Sequence, residues 1–213
     1  MKKYSRYLCL LFIILMVTGC TIVRIDTSSI DTIVNVVLSK DNTLYNQVGK
    51  GYKYYIPRGV NYIDTVDFNE KLYSNGNYYY LYIDAVSYYN KKDPVYTYDS
   101  SLYYSREFVI NDKTGYLEIE KTKDDKYLVN FVYNYARIQA LVNEEDLNDV
   151  ILNSSYMLST VKFNNEVIKL MLDEEYFTNK EESYTLFDKK IENNNFLEYI
   201  EDDTSISDDK SNE

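Results

Sequence analysis

Tyrosine-rich segments with a two-residue period constrain the fold of this chain more than any other sequence feature. In residues 78–89, the odd positions from Tyr79 to Ala85 form an apolar face, and the even positions from Tyr78 to Asp84 form an amphipathic face. Successive side chains of a strand point to opposite faces. This period therefore predicts a strand over residues 78–89 with one face on a hydrophobic core.

Further segments fit the same interpretation. The longest predicted strand covers residues 127–142, where alternating small and aliphatic positions are separated by Arg137 and Gln139. Shorter strands are predicted at 52–56, 107–110 and 116–120, with polar or glycine-containing turns at 57–59, 111–115 and 121–126. Strands joined by such short turns pair antiparallel, so the sequence predicts an antiparallel sheet.

Helical periodicity appears in three places. A helix is predicted over residues 29–39, with Ser28 and Ser29 as capping candidates. A second begins behind Asn143 as N-cap, with acidic residues 144–146 in its first turn, where carboxylates oppose the helix dipole. Its apolar stripe consists of Leu147, Val150, Ile151, Leu158 and Val161. Asn164 caps a shorter helix, whose predicted inward residues are Val167, Ile168, Met171 and Leu172. The predicted class is therefore α+β, an antiparallel β-sheet with helices packed on its faces.

The N-terminus has the features of an export signal, because basic residues precede an apolar stretch at 7–17 that is too short for a stable membrane span. The next residues, Val17-Thr18-Gly19-Cys20, resemble the lipobox of bacterial lipoproteins. The resemblance implies that the Cys20 thiolate receives a diacylglyceryl group and that a signal peptidase cleaves after Gly19. The expected location is the extracytoplasmic face of the cell membrane, held there by acyl chains.

These features predict the domain organisation. Residues 1–19 are a lipoprotein signal peptide, 20–28 the lipidated cysteine and a spacer, 29–201 a single α+β domain, and 202–213 a disordered acidic tail.

Charge and composition exclude several classes of function. The chain has 34 acidic and 23 basic residues, so nucleic acid is repelled and is not an expected partner. It contains no histidine, and its two cysteines lie in the signal peptide or at the lipidation position, which excludes imidazole and thiol chemistry from the mature domain. The acidic runs lack the alternating spacing of a calcium loop. We therefore expect no catalytic residue, metal site or cofactor, and nothing in the sequence defines an oligomeric state.

A second resemblance concerns the mature domain. Residues 52–60, the long central strands and residues 157–162 resemble the PsbP-like α/β sandwich, which also occurs in bacterial lipoproteins of the DcrB type. The resemblance implies an antiparallel sheet with helices on both faces, and a role in binding or assembly more often than catalysis. The chain departs from many members at Val60, where they carry tryptophan.

Two hypotheses of function follow. The favoured one is a non-catalytic binding or assembly module of the cell envelope, whose partner is an envelope protein or glycan. Its candidate aromatic face consists of Tyr78, Tyr80, Tyr82 and Tyr88. The tyrosines have a second interpretation as ordinary strand residues.

The alternative is a carboxylate-dependent hydrolase that acts on envelope glycan or peptide. Its candidate acids are Asp84, Asp99 and Glu107. This hypothesis requires a cleft with two convergent carboxyl groups about 5 to 9.5 Å apart, whereas the binding hypothesis requires an exposed aromatic patch.

Overall fold

Antiparallel pairing dominates the structure, a computed structural model that describes residues 28–66 and 68–173. Those residues form four α-helices and ten strands. In chain order they are α1 (Ile30–Leu38), β1 (Gln47–Val48), β2 (Tyr52–Tyr54), β3 (Asn61–Val66), β4 (Asn69–Ser74), β5 (Asn77–Ile83), α2 (Ala85–Asn90), β6 (Tyr104–Ile110), β7 (Lys113–Lys121), β8 (Tyr127–Tyr133), β9 (Ala136–Val142), α3 (Leu147–Thr160), β10 (Lys162–Phe163) and α4 (Asn165–Asp173).

The strands form two sheets. The larger has seven strands in the order β3-β4-β5-β9-β8-β7-β6, all antiparallel to their neighbours. The smaller has the order β1-β2-β10. The predicted α+β class is therefore confirmed, and the seven-stranded sheet is open rather than closed into a barrel.

Helices α1 and α3 pack against each other, and α3 contacts β8 and β9. The strand residues beneath them alternate as the sequence predicts: Leu81 pairs with Ile138, and Phe131 pairs with Ile138 from the other side. Ile151 and Leu158 of α3 are buried in the same hydrophobic core. This arrangement places the core between the two helices and one face of the large sheet.

Local signals explain two helix starts. The Ser29 hydroxyl accepts a hydrogen bond from the Thr32 amide at 3.3 Å, which confirms the predicted helix and its cap. The Asn164 side chain accepts from the Val167 amide at 3.3 Å and caps α4. Ile168 is buried as predicted, and Met171 and Leu172 pack against the core. The inward placement of Val167 is wrong, because that side chain is exposed.

The predicted strand over residues 78–89 is too long. Strand β5 ends at Ile83, and the Asp84 carboxylate accepts a hydrogen bond from the Ser87 amide at 2.8 Å. A side chain that caps free amides in this way starts a helix, so the chain continues as α2. The alternation itself is confirmed up to that point, with Tyr79, Leu81 and Ile83 buried.

The predicted strand over residues 127–142 is instead the hairpin β8–β9. Asn134 and Tyr135 both have positive φ, at 54° and 58°, and form the two-residue turn between paired Tyr133 and Ala136. Two consecutive left-handed residues are typical of the tight turns that match strand twist. The core-facing positions are odd-numbered in β8 and even-numbered in β9, so the alternation changes phase at this turn, and the single-strand prediction overlooked that change.

The other turns agree with the sequence more closely. Lys113 pairs with Ile110, so the β6–β7 hairpin predicted around residues 111–115 is confirmed with a tighter turn at Asn111-Asp112.

No strand was predicted for residues 61–74, where β3 and β4 lie. The predicted N-cap Asn143 is followed by a 3-10 helix at Glu144–Asp146, and its side chain makes no capping hydrogen bond to the described residues.

Several predictions concern other parts of the chain. Cys20, the signal peptide and the tail at 202–213 lie outside the described residues, as does the C-terminal part of the predicted domain 29–201. Among the helices that are described, none has both the length and the apolar character needed to cross a bilayer.

Candidate functional site

The face of the large sheet opposite α1 and α3 carries polar and aromatic side chains, and we refer to it as the outer face. It is formed by the alternate strand positions Tyr78, Tyr80, Tyr82, Tyr116, Glu118, Asn130, Val132, Arg137 and Gln139 and their neighbours in register. A central strand would normally bury apolar residues on both sides if helices covered both faces. The polar composition of the outer face therefore distinguishes it from the helix-covered face.

A connection crosses the outer face. Strand β5 lies inside the sheet and β6 lies at its edge, so residues 91–103, which join α2 to β6, must pass over the strands between them. We call residues 91–103 the crossing segment. The Tyr96 ring packs on Tyr116 with centroids 5.4 Å apart, and its hydroxyl hydrogen-bonds the Ser105 hydroxyl at 2.7 Å. These contacts fix the segment over the sheet.

A cleft of about 620 Å³ lies between α2, the crossing segment and the outer face. Its floor is one row of residues across four neighbouring strands. The row runs Tyr82, Arg137, Val132, Tyr116. The walls include Asp84 and Ser87 at the start of α2, and residues 92–95 of the crossing segment. This size lies within the range of small-molecule sites, about 300–1,000 Å³.

Arg137 is the central charged group of the cleft floor. It lies in the middle of the sheet on β9, and its side chain is only 8% exposed. Its guanidinium carbon is 5.8 Å from the centroid of the Tyr82 ring, within the range of a cation–π contact. The Tyr82 ring thus lies against a planar cation at the bottom of the cleft.

Two carboxylates lie in the walls. Asp84 caps α2 through one oxygen, as described above, and the Asp93 carboxylate accepts a hydrogen bond from the Tyr135 hydroxyl at 3.1 Å. Burial raises the pKa of Tyr135, and the hydrogen bond to Asp93 raises it further, so the phenol stays protonated as the donor. Each carboxylate is held in place by one bond and retains other acceptor positions.

A row of polar side chains runs beside the cleft floor. The Asn130 amide donates to Glu118 at 3.1 Å, and the Gln139 amide donates weakly to the Asn130 oxygen at 3.5 Å. Gln139 is buried, and its side-chain oxygen has no hydrogen-bond partner among the described residues. The outer face is therefore polar well into its centre, beyond the rim that contacts solvent.

The structure brings together three of the four tyrosines of the predicted aromatic face. Tyr78, Tyr80 and Tyr82 share the outer face of β5, and Tyr82 lines the cleft. Tyr88 lies apart from them in α2, where its ring stacks on Phe163 with centroids 3.8 Å apart and an interplanar angle of 12°. Tyr88 therefore joins α2 to β10 rather than extending the row on β5.

Of the three candidate acids, only Asp84 lines the cleft. Glu107 is exposed on the edge strand β6, where it pairs with Tyr116. Asp99 is exposed in the crossing segment and accepts hydrogen bonds from the amide and hydroxyl of Ser101, at 2.8 and 2.6 Å, which lower its pKa. Asp99 therefore has a local structural role in this turn.

Sequence reasoning missed Arg137, Asp93 and Tyr116 as members of one site. Arg137 had a visible signal, because it interrupts an apolar strand at the positions that face away from the core. Asp93 and Tyr116 had none, since only the path of the crossing segment and the strand order bring them together.

A buried carboxyl group lies outside the cleft, on the opposite side of the sheet. Glu70 of β4 is 1% exposed and accepts hydrogen bonds from the hydroxyls of Tyr52 and Tyr54 on β2. Burial raises the pKa of Glu70, while the two phenol hydrogen bonds oppose that increase. The group connects the small sheet to the large one.

Across residues 28–66 and 68–173, no group of three or more acidic, histidine or cysteine side chains is arranged to hold a metal ion. No family model matches the chain, and no curated protein matches it.

Proposed function

We propose that this protein is a lipid-anchored extracytoplasmic lipoprotein that acts as a non-catalytic binding or assembly module of the cell envelope. The anchor in this proposal is Cys20 of the lipobox-like segment. One structural observation supports the binding role most strongly: the outer face carries a cleft with a nearly buried arginine and aromatic rings on its floor.

The energetics of the cleft favour a binding role over a purely structural one. Burying a charged group on a central strand costs desolvation energy, and replacing buried charges by packed apolar residues is often neutral or stabilising. A nearly buried arginine is therefore weak evidence for a stabilising role. A cleft with a few placed polar groups on an apolar and aromatic floor is typical of ligand sites.

The partner in this proposal is an envelope protein or glycan. Tyrosine rings provide a large contact area with a hydrogen-bonding hydroxyl, and they are enriched where proteins bind other molecules. The exposed Val95 of the crossing segment lines the cleft and extends its apolar surface. A tether at Cys20 keeps this surface at the membrane.

The alternative, a carboxylate-dependent hydrolase of envelope glycan or peptide, is favoured by one observation. Asp84 and Asp93 line the same cleft. The test incubates isolated envelope material with the wild-type chain or with Asp93→Asn and measures new reducing ends and new amino groups. Their release by wild type and not by Asp93→Asn would support the hydrolase. The binding module predicts no release by either protein.

Site-specific photo-crosslinking tests the proposed binding surface. The full-length chain carries a photoreactive residue at Val95, beside the cleft, or at Val48, an equally apolar exposed position on β1. We expect illumination of intact cells to produce a discrete covalent adduct from position 95 and none from position 48. Adducts from both positions alike, or from 48 alone, contradict the assignment of the outer face as the binding surface.

A further inference from the structure

We propose that strand β6 is a second interaction surface, to which an extended, positively charged segment of another protein adds as a further antiparallel strand. The proposed function places a binding surface at the cleft, and this inference goes beyond it, because it concerns the edge of the large sheet. It is drawn from the backbone groups and side chains of that edge.

The β6–β7 hairpin determines which backbone groups of β6 point away from the sheet. Its turn has two residues, so the flanking pair Ile110 and Lys113 exchanges hydrogen bonds in both directions. Antiparallel pairs alternate between bonded and non-bonded, and the pairing continues here without a register shift. The N–H and C=O groups of the alternate residues Ser105, Glu107 and Val109 therefore point outward.

These six outward groups have no hydrogen-bond partner in the part of the chain that the structure describes. They lie at the two-residue spacing that a neighbouring strand uses. A strand added at a sheet edge gains its affinity from main-chain hydrogen bonds, and its side chains provide specificity. The edge therefore suits an extended segment of polypeptide rather than a glycan.

The two edges of the large sheet differ in their protection against strand addition. At the opposite edge, β3 is bulged between Tyr62 and Asp64, and the Asp64 carboxylate accepts a hydrogen bond from the Thr65 amide at 2.7 Å. A bulge twists an edge away from a further strand. Strand β6 contains no bulge, proline or lysine in its seven residues. We therefore assign the interaction to β6.

The side chains of β6 favour a cation in the partner strand. Glu107 is exposed in the middle of β6 and forms no ion pair with the described residues. Its neighbour Arg106 is held on the helix-covered side by Asp31 of α1. Opposite charges directly across a strand pair stabilise it, whereas like charges destabilise it. Val109, on the same side as Glu107, is 68% exposed and favours an apolar residue two positions from the cation.

The same charge argument disfavours two other occupants of the edge. A second copy of the chain brings a formal net charge of −11. Residues 174–213 of the chain itself contain 13 acidic and four basic residues. A basic segment of a different protein matches Glu107 better than either of them.

Amide hydrogen exchange of the full-length chain in detergent tests whether the edge is open. We expect the amides of Ser105, Glu107 and Val109 to exchange fast, whereas the Phe108 amide is protected by its bond to β7. Slow exchange of the outward amides at every protein concentration would assign the edge to residues of the same chain. Slow exchange only at high concentration would assign it to a second copy, and either result would overturn the inference.

Binding of a fluorescent peptide tests the chemistry of the partner. The probe is the capped hexapeptide Thr-Val-Val-Lys-Val-Thr, compared with a form that has glutamate in place of lysine. We expect the lysine peptide to bind and to slow exchange in β6 but not in β3. The glutamate peptide should bind roughly fivefold more weakly or worse, because like charges then lie opposite each other.

Two methylated peptides test the main-chain pairing. Opposite Glu107, the amide of the peptide lysine faces β6, whereas the amide of the preceding valine faces away. Methylation of the lysine amide nitrogen should therefore abolish binding, and methylation of the valine amide nitrogen should not. Equal loss of binding from both methylations would contradict strand addition.

Two variants with the same change in net charge locate the binding. Glu107→Lys should reverse the preference between the lysine and glutamate peptides, whereas Glu120→Lys, at an exposed position on β7, should keep the wild-type preference. No binding of the lysine peptide, slowed exchange in β3, or the same response of both variants would overturn the inference. The adduct at position 95 tests the proposed function separately and does not depend on these results.

Discussion

Glu70 shows how one residue can couple two parts of this fold. Its carboxyl group lies on β4 of the large sheet, and both tyrosines that donate to it lie on β2 of the small sheet. Tyr52 and Tyr54 are themselves buried, and burial raises the pKa of each phenol, so both remain donors at ordinary pH. The three side chains form a buried polar connection between the two sheets.

The raised pKa of Glu70 predicts a pH-dependent contribution to stability. In the window between its ordinary value of 4.5 and its higher folded pKa, the folded state holds a proton that the unfolded state has released. The free energy of unfolding contributed by this group therefore falls as pH rises through that window. Urea unfolding of wild type and Glu70→Gln across this range should show wild type losing stability relative to the variant as pH increases.

Glu120→Gln provides the control, because Glu120 is exposed at the end of β7. That variant should follow the wild-type pH profile. A wild-type stability that rises with pH relative to Glu70→Gln would mean that the two phenol hydrogen bonds outweigh burial, and it would contradict the predicted direction.

Helix α3 supplies much of the layer that covers the large sheet. Leu158 is fully buried, whereas Leu170 of α4 is 63% exposed, so one substitution can be compared in two environments. Leu158→Asp should cost several kcal/mol, because an unpaired carboxylate must be buried or neutralised, and the melting temperature should fall by roughly 10 °C or more. Leu170→Asp should change the melting temperature by no more than about 2 °C. Circular dichroism melts compare the two, and the reverse order would contradict the helix register.

Elements with strong local signals were predictable from the sequence. Helix α1 combines a serine cap with helical spacing of buried Ile33, Val34, Val37 and Leu38. The β6–β7 hairpin was recognisable because polar turn residues separate two apolar strands. These features depend on residues only a few positions apart, and sequence periodicity reflects interactions over that same short distance.

Strands without an alternation of apolar residues were missed. The buried positions of β4 are Glu70, Leu72 and Ser74, of which only one is apolar. β3 is an edge strand whose residues are mostly exposed on both sides, so no alternation marks it. The tight turn at Asn75-Gly76, with positive φ at both residues, is the signal that identifies the β4–β5 hairpin. In the same way, Asn134-Tyr135 marks the point at which the core-facing alternation changes from odd to even positions.

The candidate cleft was predictable only in part. The outward face of β5 could be read from alternation, and Tyr82 belongs to the cleft. The positions of Arg137, Tyr116 and Asp93 relative to Tyr82 depend on strand order and on the path of the crossing segment. The periodicity of a single sequence does not indicate which distant residues pair with each other.

The proposed membrane attachment concerns the whole molecule, and Cys20 provides its test. Cys20→Ser should abolish incorporation of a fatty-acid analogue and leave the uncleaved precursor, because a hydroxyl does not replace the thiolate as acceptor. Metabolic labelling followed by electrophoresis measures both effects. Cys9→Ser is the matched control, since Cys9 lies in the apolar part of the predicted signal peptide and its loss should leave labelling intact. Persistent label on Cys20→Ser would rule out this anchor.

Recovery of bound molecules from native membranes tests the proposed binding role most directly. The wild-type chain, Arg137→Gln and the control Arg58→Gln, at an exposed turn position, are expressed at equal levels and extracted in mild detergent. Mass spectrometry then identifies the co-purifying proteins, peptides and glycans. We expect at least one envelope component to accompany wild type and Arg58→Gln and to be lost from Arg137→Gln. Identical co-purifying material from all three proteins would contradict a binding role for the outer-face cleft.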